Sequence, residues 1–337
     1  MFATLLGGLP RPVAADGSRL DDDDGAVVVA LEAQATAGLE PLTDGRLRTR
    51  GFAGALRGLE GLAEGPDGPR LEGDPRWTRP LTVDAWRFAA AHAHGLVKQA
   101  LPGPYTLGRL LAGSSTAETD VDSITTALAD AIRAELQALA DAGCAFIEIE
   151  ERDADRIGTD PVERERFASA HRRLLDGLDG LHVSLAITGG NADTAGIETI
   201  LAAPYPSLAV DLIEGPDNWR LVQGTPGDRG IVCGALSTRP GSDDGPETLI
   251  WAAFYAESSN GRGLDRVGLA TAGSLEGLDW GTAVEKMRRL GEAARLAAGP
   301  RSEIARHLDP RAVDSRSAAL GRYEPPSERP RRGARKR

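Results

Sequence analysis

Cysteine, methionine and histidine are scarce in this chain: two, two and five residues out of 337. Cys144 and Cys233 have neither metal-site spacing nor enough company for a disulfide framework. Both fall in apolar, strand-like runs, which predicts small buried hydrophobes in a reducing, cytoplasmic setting. No apolar run approaches the roughly 20 residues that span a bilayer, and the opening "MFATLLGGLPRP" has no basic start and meets Gly-Gly and Pro too soon for a signal peptide. Positive charge is outnumbered, 39 to 50, for a net charge of −11, so neither nucleic acid nor an anionic membrane is an expected partner. No glycine-rich phosphate loop follows the first strand-like run, because Pro10 in "GGLPRP" removes an amide donor. His92 and His94 lie two apart on a predicted helix and cannot share an ion. Ser237 and Thr238 have no histidine nearby in sequence, so no hydrolytic triad is expected.

What is present is a rhythm. Strand-like runs occur at Ala3 to Gly7, Leu39 to Thr43, Leu96 to Leu101, Cys144 to Glu150, Leu181 to Ile187, Leu208 to Ile213, Gly230 to Leu236 and Arg266 to Thr271. Helical stretches separate them at Gly25 to Ala37, Val83 to His94, Asp120 to Ala142, Pro161 to Leu178, Ala195 to Ala202, Pro246 to Glu257 and Trp280 to Ala297. In the third of these, Ile124, Leu128, Ile132, Leu136 and Leu139 recur at helical spacing and give one apolar face. Eight strand–helix alternations predict an α/β protein, a single (β/α)8 TIM barrel over residues 1–298. Arg46 to Pro80, rich in Gly, Pro and charge, reads as an excursion after the second strand. Residues 299–337 form a C-terminal extension whose basic end, "RPRRGARKR", is expected to be disordered. The acidic run Asp21 to Asp24 sits where negative charge favours a helix start.

Motifs lie at the ends of these strands. They are "LLGGLPRP", "QATAGLEPLTDGRLR", "LPGPYTLGRLL", "LADAGCAFIEIEE", "LAITGGN", "AVDLIE" and "LATAGSLEGLDWGTAVEKMRRLGEAA". In order and spacing they resemble the single-barrel form of the cobalamin-independent methionine synthase family across roughly residues 3 to 297, a barrel type shared with uroporphyrinogen decarboxylase. The resemblance implies methyl or one-carbon transfer to a thiol such as homocysteine, activated as a thiolate by zinc. The zinc positions of that family match Ala186, Thr188, Glu214 and Ala272 here, so only Glu214 retains a donor, and no cofactor is expected. A register shifted by four residues would instead put His182 and Ser184 at the first two positions. By the same resemblance, Gly8 replaces a serine that meets the amino acid, Arg46 replaces a glutamate that meets its ammonium, Glu150 stands for an aspartate, and Arg152 for a proline. Gly103, Pro104, Tyr105, Thr106, Asn191 and Glu151 are retained.

The residues also speak for themselves. Alternation in "CAFIEIEE" puts Ile147 and Ile149 on one face and Glu148 and Glu150 on the other, directed into the barrel. Crowded carboxylates there, with Glu151 and Asp211 nearby, suit acid–base work or a polar layer matched by cations, and Lys98 is the natural counter-ion. Arg11, Arg46 and Arg239 follow strands one, two and seven and could grip an anion, or could be solvated loop arginines. Trp219 could stack a flat ligand or pack in the core. Three functions follow: a methyltransferase of the family's kind, a zinc-free enzyme of altered chemistry, or a non-catalytic protein that binds a small anionic ligand.

Overall fold

The structure, a computed structural model, describes residues 1–300 and 304, apart from 15, 19, 50, 66–67, 115–119, 179 and 243–244. The basic tail lies outside them. Seven parallel strands curl into one sheet: β1 (Phe2–Thr4), β4 (Gln99–Pro102), β5 (Phe146–Glu151), β6 (His182–Ile187), β7 (Ser207–Asp211), β8 (Gly230–Leu236) and β9 (Val267–Thr271), with β1 beside β9 and β4 at the other end. The remaining two strands, β2 (Glu60–Gly65) and β3 (Gly68–Arg76), form a separate antiparallel hairpin.

The gap between β1 and β4 is filled by the Leu39–Thr43 segment. It joins the barrel only through isolated bridges, Ala3 to Glu40 and Leu42 to Val97. Pro41 has no N–H to give to a ladder, which keeps this eighth stave from becoming a regular strand. Its side-chain neighbour helps instead: Thr4 Oγ1 donates to the Pro41 carbonyl at 2.7 Å.

Helices wrap the outside in chain order: α1 (Asp23–Thr36), α2 (Val83–His92), α3 (Pro104–Ser114), α4 (Val121–Asp141), α5 (Pro161–Leu175), α6 (Ile197–Ile200), α7 (Trp219–Gly224), α8 (Pro246–Ser258) and α9 (Trp280–Ala298). None among the described residues is long and apolar enough to cross a membrane. Local chemistry sets their starts. Asp22, Asp120, Asp160 and Asp279 each accept backbone N–H groups of the first turn of α1, α4, α5 and α9. Pro104, Pro161 and Pro246 open α3, α5 and α8, where proline's missing N–H costs nothing.

Two apolar layers result from strand alternation. Ile147, Ile149, Leu185, Val210, Cys233 and Leu269 face outward into the main core against the helices. A small inner cluster of Leu6, Ala186, Ala209, Val232 and Ala270 fills part of the barrel's interior. The 46–80 excursion carries a short 3-10 helix, Phe52–Leu56, and then the hairpin. It returns to the barrel wall through Glu135 of α4. This fully buried carboxylate accepts from Trp77 Nε1 at 2.8 Å, Leu81 N at 2.9 Å, and the N and Oγ1 of Thr82, both at 2.7 Å.

Candidate ligand site at the barrel mouth

The inner face of β5 carries two carboxylates one above the other. Glu148 is the deeper. Its Oε2 accepts from Lys98 Nζ at 2.7 Å, and the same ammonium donates to the Leu5 carbonyl at 2.7 Å. Burial raises the Glu148 pKa despite the lysine beside it. Glu148 Oε1 has no hydrogen-bond partner, and neither has Ser184 Oγ, its register neighbour across the β5–β6 pair.

Glu150, two residues higher, is 1% exposed and is held from both sides. Arg46 Nη2 pairs with Oε2, and Arg152 Nε donates to Oε1 at 2.7 Å. Thr188 Oγ1 adds a longer contact to Oε1 at 3.3 Å. Burial opposes the charged form of Glu150, but the two guanidiniums outweigh it and hold the carboxyl down at about 2. Arg46 is itself 4% exposed. Its Nη1 and Arg152 Nη2 are buried without partners. Phe52 lies against them, its ring 4.3 Å from the Arg152 guanidinium carbon and 5.7 Å from that of Arg46. Two arginines therefore face one carboxylate in the upper tier, while Lys98 matches Glu148 below.

Glu151 does different work. It points away from the interior and accepts from Tyr105 N at 3.0 Å, Thr106 N at 2.7 Å and Thr106 Oγ1 at 2.5 Å, which caps α3. His171 Nε2 lies 3.0 Å from it, and His171 Nδ1 lies 2.5 Å from the Tyr205 hydroxyl. The carboxylate leaves no room beside Gly103, where a Cβ would fall 2.1 Å from Glu151 Oε1. Gly103, Thr106 and Glu151 thus form one structural unit. The Tyr105 hydroxyl donates to Glu163 at 2.6 Å, on the helix side.

Asp211 ends β7 and braces the loop beyond it, accepting from Ile213 N at 2.8 Å, Glu214 N at 2.9 Å and Gly189 N at 3.3 Å. Burial still pushes its pKa up to about 6, because those amides offset it only in part. Glu214 takes a two-point grip from Arg239, with Nε to Oε1 at 2.9 Å and Nη2 to Oε2 at 2.7 Å. Ala186 and Ala272 are buried. Among the described residues no group of three or more His, Cys, Asp or Glu is placed to hold a metal ion. His182 begins β6, at the opposite end of the strand from the mouth, stacked on Phe146 at 4.7 Å and 2.9 Å from Ser207 Oγ. Burial lowers its pKa.

Of the sequence-derived candidates, the structure brings Arg46, Lys98, Glu148 and Glu150 into one column and adds Arg152. It gives the others separate partners. Arg11 ties down the start of α1 through the carbonyls of Leu20 and Asp21 and the Asp23 carboxylate. Arg11, Arg46 and Arg239, which could have converged on an anion or stood as solvated loop arginines, serve three different sets of acidic or carbonyl partners. Asn191 exchanges hydrogen bonds with Asp217, 2.7 Å from Asp217 N and 3.2 Å to Oδ2, joining the loops after β6 and β7. Trp219 packs edge-on against Trp251 at 4.8 Å and Tyr255 at 5.1 Å. The acidic run does cap α1, through Asp22. The helix carrying His92 ends there, which leaves His94 beyond it.

Sequence reasoning missed Phe52, His171 and Tyr205 as parts of these networks. Phe52 reaches the mouth from a loop with no periodic pattern. His171 sits on the apolar face of α5 between Phe167 and Leu174, a placement that helical spacing alone could have flagged.

No family model matches this sequence, and no curated protein does. Solved structures do. A B12-independent methionine synthase from Shewanella sp. W3-18-1, solved in complex with selenomethionine, is 15% identical, covers 90% of this chain and 98% of its own, and gives a TM-score of 0.73. A candidate vitamin B12-independent methionine synthase from Listeria monocytogenes is 18% identical over 89% of this chain and 98% of its own, with a TM-score of 0.69. A methyltransferase from Methanosarcina mazei is 16% identical over 86% and 93%, with a TM-score of 0.56. The chain has the barrel fold of these proteins.

Proposed function

We propose that this protein is a zinc-free relative of the cobalamin-independent methionine synthases whose barrel mouth binds a small anion. The observation that carries this reading is the Arg46–Glu150–Arg152 cluster. A buried guanidinium, that of Arg46, and a partly exposed one, that of Arg152, share one carboxylate, and each keeps a buried nitrogen without a hydrogen-bond partner. Buried donors without acceptors are costly, and an anionic group supplies what they need.

The residues at the zinc positions do not fit the ion. Two are alanines, Thr188 donates to Glu150, and the remaining carboxylate, Glu214, is engaged by Arg239. Zinc needs soft or imidazole donors in tetrahedral array, and a single oxygen donor does not hold it. Zinc-dependent thiol activation therefore has no support in these side chains. The charge at residue 46 also argues against the family's ammonium-bearing substrate, because an arginine there repels it.

Titration of the protein with acetate and with inorganic phosphate tests the reading. Arg46→Gln and Arg152→Gln should each weaken the anion that binds by about tenfold or more, as expected for loss of a charge-assisted contact in a buried site. Unchanged affinity in both variants, or no anion binding to the native protein, would remove the mouth as the site.

A further inference from the structure

The unpartnered atoms inside this barrel come in two kinds at two depths. Arg46 Nη1 and Arg152 Nη2 are donors beside Glu150. Glu148 Oε1 is an acceptor one tier deeper, and Ser184 Oγ, which can donate or accept, sits across from it. The register explains how the tiers communicate. Glu150 pairs with Ala186 and Glu148 with Ser184, so the column beside the two glutamates is alanine over serine. Alanine at 186 puts only a methyl group in that column at the level of Glu150.

Charge decides what can lie there. Arg46, Arg152 and Lys98 face Glu150 and Glu148, and the carboxylates of Asp44 and Glu276 also act on Arg46. The free guanidinium nitrogens favour an anionic acceptor, and a second cationic group on it is disfavoured because Lys98 Nζ already occupies Glu148 Oε2. The partner of Glu148 Oε1 should therefore be a neutral donor.

Resting on the anion reading above, we propose that the site takes a small hydroxycarboxylate. Its carboxylate lies against Arg46 and Arg152, and its hydroxyl donates to Glu148 Oε1 while accepting from Ser184 Oγ. The two tiers are two residues apart along the strand, roughly 6–7 Å, which suits a chain of about two to four carbons. The amino acids of the same length are disfavoured by the lysine and the arginines.

Calorimetric titration of the full chain at neutral pH with lactate and 3-hydroxybutyrate, beside propionate, butyrate, alanine and 3-aminobutyrate, tests this. The better hydroxy acid should bind at least about tenfold more tightly than its deoxy partner, since a site that hydrogen-bonds a hydroxyl discriminates strongly against its absence. The amino acids should bind more weakly than either. Ser184→Ala should bring the hydroxy acid down towards the deoxy acid and leave the deoxy acid unchanged. Ala186→Val, which adds bulk beside the two tiers, should weaken the hydroxy acid selectively, and the melting temperature of each variant reports whether it folds. Equal affinity for hydroxy and deoxy acids would overturn the inner tier while leaving the anion reading intact. An amino acid binding most tightly would overturn the charge argument. No binding by any carboxylate, with phosphate also silent, would overturn both.

Discussion

Arg239 meets Glu214 as a fork meets a fork, with parallel contacts of 2.9 and 2.7 Å between the guanidinium and the carboxylate. The pair sits at the rim, with side chains 61% and 40% exposed. Solvent screens it, so Glu214→Gln should cost less than about 1 kcal/mol in denaturant unfolding. A loss several times larger would mean that Glu214 holds something besides Arg239.

Glu150 is the opposite case. Its removal leaves the buried Arg46, and the partly exposed Arg152, without their counter-charge, so Glu150→Gln should cost about 3–5 kcal/mol. The double variant Glu150→Gln/Arg46→Gln should be more stable than the sum of the single losses predicts, because the two side chains act as one unit. Additive losses in chemical denaturation would contradict the pairing. Because the folded carboxyl titrates at about 2 against an ordinary 4.5, its stabilisation is fully present above about pH 4.5 and is lost as pH falls towards 2. Acid unfolding of Glu150→Gln should lack that component.

Asp211 has the reverse sign. Its folded value of about 6 lies above the ordinary 3.8, so the folded chain binds the extra proton between them. Its contribution therefore falls as pH rises from about 4 through 6, by roughly 3 kcal/mol in all. Subtracting the pH–stability curve of Asp211→Asn from that of the native chain should reveal this descent. A flat difference would show that the loop amides hold Asp211 near its ordinary value.

Phe52 lies against both guanidiniums, and it also lines a pocket of about 250 Å³ with Gly51, Pro69 and Leu110. Removing the ring should unblock the mouth. Phe52→Ala should raise the anion's association rate by about tenfold in stopped-flow mixing. An unchanged rate would mean that the ligand enters elsewhere.

The barrel was legible because its signals are local and repeated. Apolar runs bounded by turn residues placed the strand at Leu181 to Ile187 within one residue of β6, and period-two alternation put Glu148 and Glu150 inside. The eighth stave was visible as a run but not as two bridges, since Pro41 weakens pairing without altering hydrophobicity. α3 went unseen although Pro104 signals a helix start, and the β2–β3 hairpin hid in a glycine-rich stretch with little apolar alternation. The column of Lys98, Glu148, Glu150 and Arg46 was partly foreseen, as inward position follows from strand parity. Its capping partners were not. Arg152 turns back two residues to reach Glu150, and Phe52 arrives from a loop, so both depend on chain geometry that residue order does not encode. For Arg11 residue order left a ligand role and a loop role both open, and the structure gives it partners 9 to 12 residues further along the chain, at Leu20, Asp21 and Asp23.

Zinc content tests the account most directly. The purified protein would be incubated with excess zinc, dialysed against metal-free buffer and assayed by elemental analysis, with an Ala186→His/Thr188→Cys/Ala272→Cys variant alongside. The account predicts less than about a tenth of an equivalent in the native chain, because one arginine-bound carboxylate gives no tetrahedral donor set. Near-stoichiometric zinc in the native chain, lost on Glu214→Gln, would contradict it.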